Sequence, residues 1–294
     1  MQGQTKMNLK KELQKVQEQD KTLRHQLRDL MKNLEGLNKK LQESESLKSN
    51  FLSNVRNEIN NPLTSIMGLS EQIMSGENLE FDSIMQRALM IYSEAFDLDF
   101  QLRNIFVAAE LEAGEALPGI ASVDVDALIK STINAFRHKA NKKGITIQYT
   151  YKSIYETDEE NLLKTDPEKL KLIISNLLGN ALEFSFDRGR VELVAKRDNK
   201  YLVFSVKDNG IGISEEDQTV IFDRFKQLET GMTRTHGGHG LGLSITRDLV
   251  TLFGGTISLV STKDKGSIFM VSIPEADVLV PVDTFSDDGN ILVF

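Results

Sequence analysis

A leucine seam at the start of the chain limits what the chain can fold into. Leu9, Leu13, Val16, Leu23, Leu27, Leu30, Leu34, Leu37 and Leu41 follow one another at alternating spacings of three and four, with Asp20 where one further apolar residue is due. That period puts the apolar side chains on one narrow stripe of a helix, which only another helix can cover. Residues 1–48 are therefore expected to form a coiled coil, most simply in a parallel dimer. The seam then loses phase, with Ser44 and Lys48 falling in it and Leu47 and Phe51 beside it. Such a break under- or overwinds a supercoil. The stretch serves as a plain dimerisation stalk or as a helix that passes rotation or register change into the next module.

The next segment, 49–113, predicts a helical hairpin. One helix runs through FLSNVRNEINNPLTSIMGLSEQIMSG, with a kink expected at Pro62 and an end near Gly76. A second runs from about Phe81 to Leu111, with apolar residues on more than one face. Two helices cannot bury that much apolar surface alone, whereas two hairpins from a homodimer make a four-helix bundle. GEALPGIASVD, around 114–122, is a linker by composition.

From 123 to about 275 the periodicity is mixed. Helices are expected over 126–143, over 166–184 with Asp166 as N-cap and Pro167 in the first turn, and over 240–253. Strands are expected at 145–151, 190–197, 201–207, 255–261 and 267–273. The sum is an α/β sandwich, a mixed sheet with helices on one face. The tail, 276–294, reads either as a linker plus the opening of another domain or as a short extension packed on the sandwich.

Composition removes several classes of function. A formal net charge of -8 does not favour a nucleic-acid partner. The chain has no cysteine, so disulfides, thiol nucleophiles and cysteine-bound metals are excluded. No apolar run is long enough to span a membrane, and a cytoplasmic location is expected, with any sensor domain or membrane anchor lying upstream.

Four segments of the sandwich carry chemistry. In NLLGNALEFS, Asn176 and Asn180 share one helix face, and their amide oxygens suit a hard cation such as Mg2+. In DNGIGI, Asp208 can accept from an exocyclic amino group, and Gly210 and Gly212 let the chain turn sharply beside a ligand. In IFDRFKQ, Phe222 and Phe225 can anchor a mobile stretch. In GGHGLGLSI, glycine N–H groups just before a helix can cradle phosphate.

In their order and spacing these segments resemble the sensor histidine kinase family, with its GHKL-type (Bergerat) ATP-binding domain, over about residues 45–275. The resemblance implies a left-handed β-α-β sandwich that binds ATP with Mg2+. It makes Asn176 and Asn180 the N box, with Asn180 the metal ligand, and Asp208, Gly210 and Gly212 the G1 box, with Asp208 the adenine partner. Phe222 and Phe225 match the F box. Gly238, Gly240 and Gly242 match the G2 box beside the triphosphate, with His239 and Leu241 between them also expected at the nucleotide, and Thr219 to Thr235 matches the ATP lid. Neither a P-loop nor a protein-kinase catalytic loop occurs. Glu183 and His239 depart from the family pattern, which has a basic residue and a small hydroxyl residue at these places.

Phe51–Ile66 resembles the family's H box, with one change. Where the phosphoacceptor histidine is due the chain has Asn57, followed by Glu58, Asn61 and Pro62 as the pattern requires. Imidazole is a nucleophile near neutral pH, whereas an amide nitrogen is not basic. Glu58 resembles the base that assists the histidine, and Asn61 a residue that positions water for dephosphorylation of the partner, a response regulator receiver domain. No histidine lies between residues 26 and 137 to substitute. The chain is therefore expected to be a two-component kinase core that binds Mg-ATP and does not autophosphorylate. Asn57 is accounted for by an engineered change in an active kinase, by a natural pseudokinase that regulates another kinase or regulator, or by a dimeric scaffold.

Overall fold

A computed structural model describes residues 30–32, 34–39, 42, 59–76, 80–153, 162–198, 200–226 and 240–276. The chain divides into two compact units, Met1–Asn54 and Val55–Phe294. In the first, the described residues are helical and exposed, including Leu30, Leu34 and Leu37 of the predicted seam. The seam before Leu30, Asn57, Glu58, Gly238, His239, most of the lid and the tail beyond 276 lie outside the described residues.

The second unit opens with helix α1, over residues 59–75, which is helical on both sides of Pro62. Helix α2, Phe81–Ala113, runs two residues beyond the expected end, to Gly114, whose φ of 72° a side-chain-bearing residue would adopt only with strain. The Arg87 Nε–H donates to Gln72 Oε1 at 3.2 Å, joining the two helices as a hairpin. Leu63, Met67, Met74, Met85, Leu89 and Met90 of this hairpin stay exposed in the single chain.

The sandwich follows. Strand β1, Ala121–Val123, pairs antiparallel with β3, Leu163–Thr165, and neither short strand was expected from periodicity. The 114–122 stretch is thus partly structured: Ala116 and Ile120 are buried, and the Gly119 N–H donates to Asp166 Oδ2 at 2.8 Å. One helix was expected over 126–143. Two occur, α3 (Val125–Ala135) and α4 (Arg137–Lys142). Between them Phe136 is buried and stacks edge-on against Phe96 and Phe100 of α2, with ring centroids 5.3 and 5.8 Å away. Tertiary packing breaks the helix where no glycine or proline announces it.

The main sheet has the order β2-β4-β5-β7-β6, with β2 Thr146–Ser153, β4 Arg190–Asp198, β5 Tyr201–Asp208, β6 Thr256–Thr262 and β7 Gly266–Pro274. Only β2 and β4 run parallel; the remaining pairs are antiparallel. Alternation along β4, β5 and β7 buries Val191, Leu193, Leu202, Phe204, Val206, Phe269 and Val271 on one face. Arg197 breaks the pattern. It is buried in the same inward row, with its Nη2 2.8 Å from Glu275 Oε2, and this ion pair ties the chain leaving β7 to the sheet.

Helix α5, Pro167–Phe184, is the spine of the domain. Asp166 caps it by accepting from the Lys169 N–H at 2.9 Å, a bond worth about 1 kcal/mol. Leu170, Ile173, Ile174, Leu177, Leu178 and Leu182 are buried. A helix apolar on so many sides must be covered on more than one. Sheet strands, α3 and helix α7 (Gly242–Leu252), which follows the single-turn helix α6 (Glu215–Gln218) along the chain, supply that cover, and Phe136 and Phe100 close over Gly179.

Candidate nucleotide site

The site is built along α5. Asn176 is 3% exposed. Its Nδ2–H donates to Asn104 Oδ1 of α2 at 2.9 Å, and its Oδ1 lies 3.2 Å from where a Cβ on Gly242 would stand. The N-terminus of α7 therefore abuts the first asparagine of the predicted pair. Asn180, one turn further along the same face, is half-buried.

At the C-terminal end of α5, the loop after β5 packs on Phe184 and Ser185. A Cβ on Gly210 would stand 2.0 Å from the Phe184 carbonyl oxygen, and one on Gly212 2.0 Å from that of Thr262. Gly212 also has a φ of 61°. These contacts leave no room for a side chain, so the loop can hold its course only with glycine. About eight residues of helix, roughly 12 Å, separate the Gly210 contact from the Gly242 contact.

Asp208 ends β5 at 5% exposure. Its Oδ1 accepts from the Gly210 N–H at 3.0 Å. Burial pushes its carboxyl up to about 6, and backbone hydrogen bonds from Ser267 and Gly210 oppose that rise. The folded chain thus holds a proton here between its ordinary value and about pH 6, so this group's stabilising contribution is present at low pH and lost as pH rises through that window. A ligand amino group needs the carboxylate and reverses the sign. Mg·ADP affinity is expected to weaken about tenfold from pH 7.5 to pH 5, measured by calorimetry.

The described residues on either side of 227–239 are held by specific contacts. Phe222 packs edge-on against Phe269, with centroids 6.4 Å apart, and the Arg247 guanidinium lies 5.9 Å from its ring centroid. Phe225 has a φ of 65°, and its N–H donates to the Gly240 carbonyl at 3.0 Å. Gly240, at φ 67°, would bring a Cβ to 2.6 Å from the Lys226 carbonyl. Phe225 and Lys226 are therefore in close contact with Gly240. Leu241 is buried, and Gly242 begins α7.

Glu183 does not stand free as a carboxylate. Its Oε2 is 3.1 Å from Lys139 Nζ of α4. Lys143 donates to the carbonyls of Leu182 and Glu183 at the end of α5. Asn61 is exposed on α1. Periodicity missed Asn104 and Lys139. The only hint of the first was an asparagine opening the mainly apolar helical stretch NIFVAAEL.

Residues 165–277 match the family described as histidine kinase-, DNA gyrase B-, and HSP90-like ATPase, and form a domain of that family. The chain is similar to the circadian input-output histidine kinase CikA of Synechococcus elongatus, 31% identical over 272 residues, covering 91% of this chain and 35% of that protein. It is equally similar to the signal transduction histidine-protein kinase BarA of Escherichia coli, 31% identical over 240 residues, covering 80% of this chain and 25% of that protein. The chain thus spans between a quarter and about a third of the length of these relatives. Among solved structures, full-length ShkA in complex with AMPPNP is similar with a TM-score of 0.53 and 26% identity, over 76% of this chain and 45% of that one. The domain and the relatives together support a sensor histidine kinase family for this chain. Among the described residues, no helix is long and apolar enough to cross a membrane.

Proposed function

We propose that this chain is the transmitter core of a sensor histidine kinase, that it binds Mg-ATP along α5, and that Asn57 deprives it of autophosphorylation. The observation that carries the nucleotide reading is Asp208, a buried carboxylate at the end of a strand, followed by glycines that admit no side chain. Burying such a group costs stability unless a partner arrives, and an adenine amino group is a fitting donor. The complex of the similar ShkA with AMPPNP supports the same ligand class.

In this reading Gly210 and Gly212 let the base approach the backbone. Gly238, His239, Gly240, Leu241 and Gly242 line the phosphates, with α7's N-terminus adding favourable dipole. Phe225 anchors the lid. The donor set is neutral amide oxygen, which suits a hard cation, and Asn180 would hold Mg2+ with help from Asn176. The metal would supply charge neutralisation on the phosphates. Glu183, already paired with Lys139, adds little repulsion toward them.

At residue 57 the amide offers no basic nitrogen for phosphate, and Glu58 has no imidazole proton to take. Asn61 retains the means to orient water for a response regulator receiver domain. Incubation with radiolabelled ATP is expected to leave no acid-labile phosphate on the chain; a clear phosphohistidine-type signal would contradict this.

The exposed hairpin side chains support a homodimer, because a bundle of two hairpins covers them. Light scattering is expected to give the mass of a dimer, and a chain lacking residues 1–44 a weaker dimer. A monomeric intact chain would contradict both the coil and the bundle.

A further inference from the structure

Asn104 belongs to no motif of the nucleotide site, yet it is the buried residue of α2, at 8% exposure. Its amide is engaged on both sides. Nδ2–H donates to the Phe100 carbonyl one turn back, at 3.0 Å, and Oδ1 accepts from Asn176 Nδ2–H at 2.9 Å. A backbone carbonyl can only accept, so the Phe100 oxygen fixes which way the Asn104 amide points. That orientation in turn fixes Asn176, since turning its amide over would set two acceptor oxygens against each other. The Asn176 oxygen is thereby left on the side of Gly242 and the start of α7.

We infer that Asn104 is a positioning residue of the nucleotide site, holding the Asn176 oxygen toward the phosphate end and making metal-dependent nucleotide affinity depend on α2 being docked. The inference rests on the nucleotide reading above. The physical ground is that a helix N-terminus by itself favours anions. An amide oxygen beside it is useful only where a cation, or a water bound to one, needs an acceptor. Asn104 should therefore matter to Mg2+-loaded nucleotide and not to nucleotide alone. The rings of Phe96 and Phe100 against Phe136 supply the docking that brings the two amides together.

The test is calorimetric titration of AMPPNP into the intact chain with Mg2+ and again with EDTA. Asn104→Leu, which keeps the branching at Cγ and removes the polar atoms, is run beside Asn104→Ala, which truncates the side chain. Phe96→Leu loosens the docking of α2 without touching either amide. Both Asn104 variants are expected to weaken binding about fivefold with Mg2+ and less than about twofold with EDTA. Phe96→Leu is expected to lower Tm and to weaken binding in the same Mg2+-dependent way, by less than the Asn104 variants do. Unchanged binding in the Asn104 variants, or an equal loss with and without Mg2+, would overturn the positioning role while leaving the nucleotide site standing. A parent that binds AMPPNP under neither condition would remove the nucleotide reading and this inference with it.

Discussion

Asn57→His is expected to change the chain from one that carries no phosphate to one that autophosphorylates. Radiolabelled ATP should then give a phosphate that acid removes and base leaves, mapping to residue 57. The size of the change follows from the chemistry of one atom. An imidazole nitrogen holds a basic lone pair near neutral pH, whereas an amide lone pair is delocalised into its carbonyl. Glu58 follows residue 57 in the sequence where the resemblance expects the assisting base, and the loop glycines and α5 asparagines are placed by the sandwich. If Asn57→His binds nucleotide and still gains no phosphate, the defect extends beyond the nucleophile. Glu183 and His239, the two departures from the family pattern in the nucleotide site, would then be the positions to change next.

Asp208→Asn is expected to weaken Mg-ATP about 10- to 100-fold, the loss of one hydrogen bond to a charged acceptor. The same change should leave Tm at or above that of the parent. The carboxyl is held well above its ordinary value because burial penalises its charge, so the charged form destabilises the empty domain at neutral pH. A neutral amide of the same shape removes that cost and keeps an oxygen for the Gly210 N–H. Loss of binding with retained or raised Tm is the mark of a group kept for its ligand. Binding as tight as the parent's would remove Asp208 from the site.

Much of the fold was readable from residue order because local rules and global fold agree there. Asp166 and Pro167 announce the start of α5, and Asp166 does cap it. Strict alternation announces β4, β5 and β7, and those strands bury one face. Gly210 and Gly212 stand out in the sequence, and a Cβ on either would lie 2.0 Å from a backbone oxygen. Other features depend on partners far along the chain. The break at Phe136 is made by Phe96 and Phe100, about forty residues earlier, with no local breaker. Strands β1 and β3 are three residues each, too short for a period to appear, and exist because they pair with each other. Arg197 reads as an outward charge until Glu275 is seen to meet it. Asn104 was invisible for the same reason, since its partner Asn176 lies 72 positions away.

The central claim is nucleotide binding at Asp208 by a chain that cannot phosphorylate itself. Its most direct measurement is calorimetric titration of Mg-ATP into the intact chain, with Asp208→Asn in parallel. Saturable heat at one site per chain, no phosphate on the recovered protein, and a binding curve at least about tenfold weaker in the variant are expected. No heat from the parent at millimolar Mg-ATP would contradict the claim.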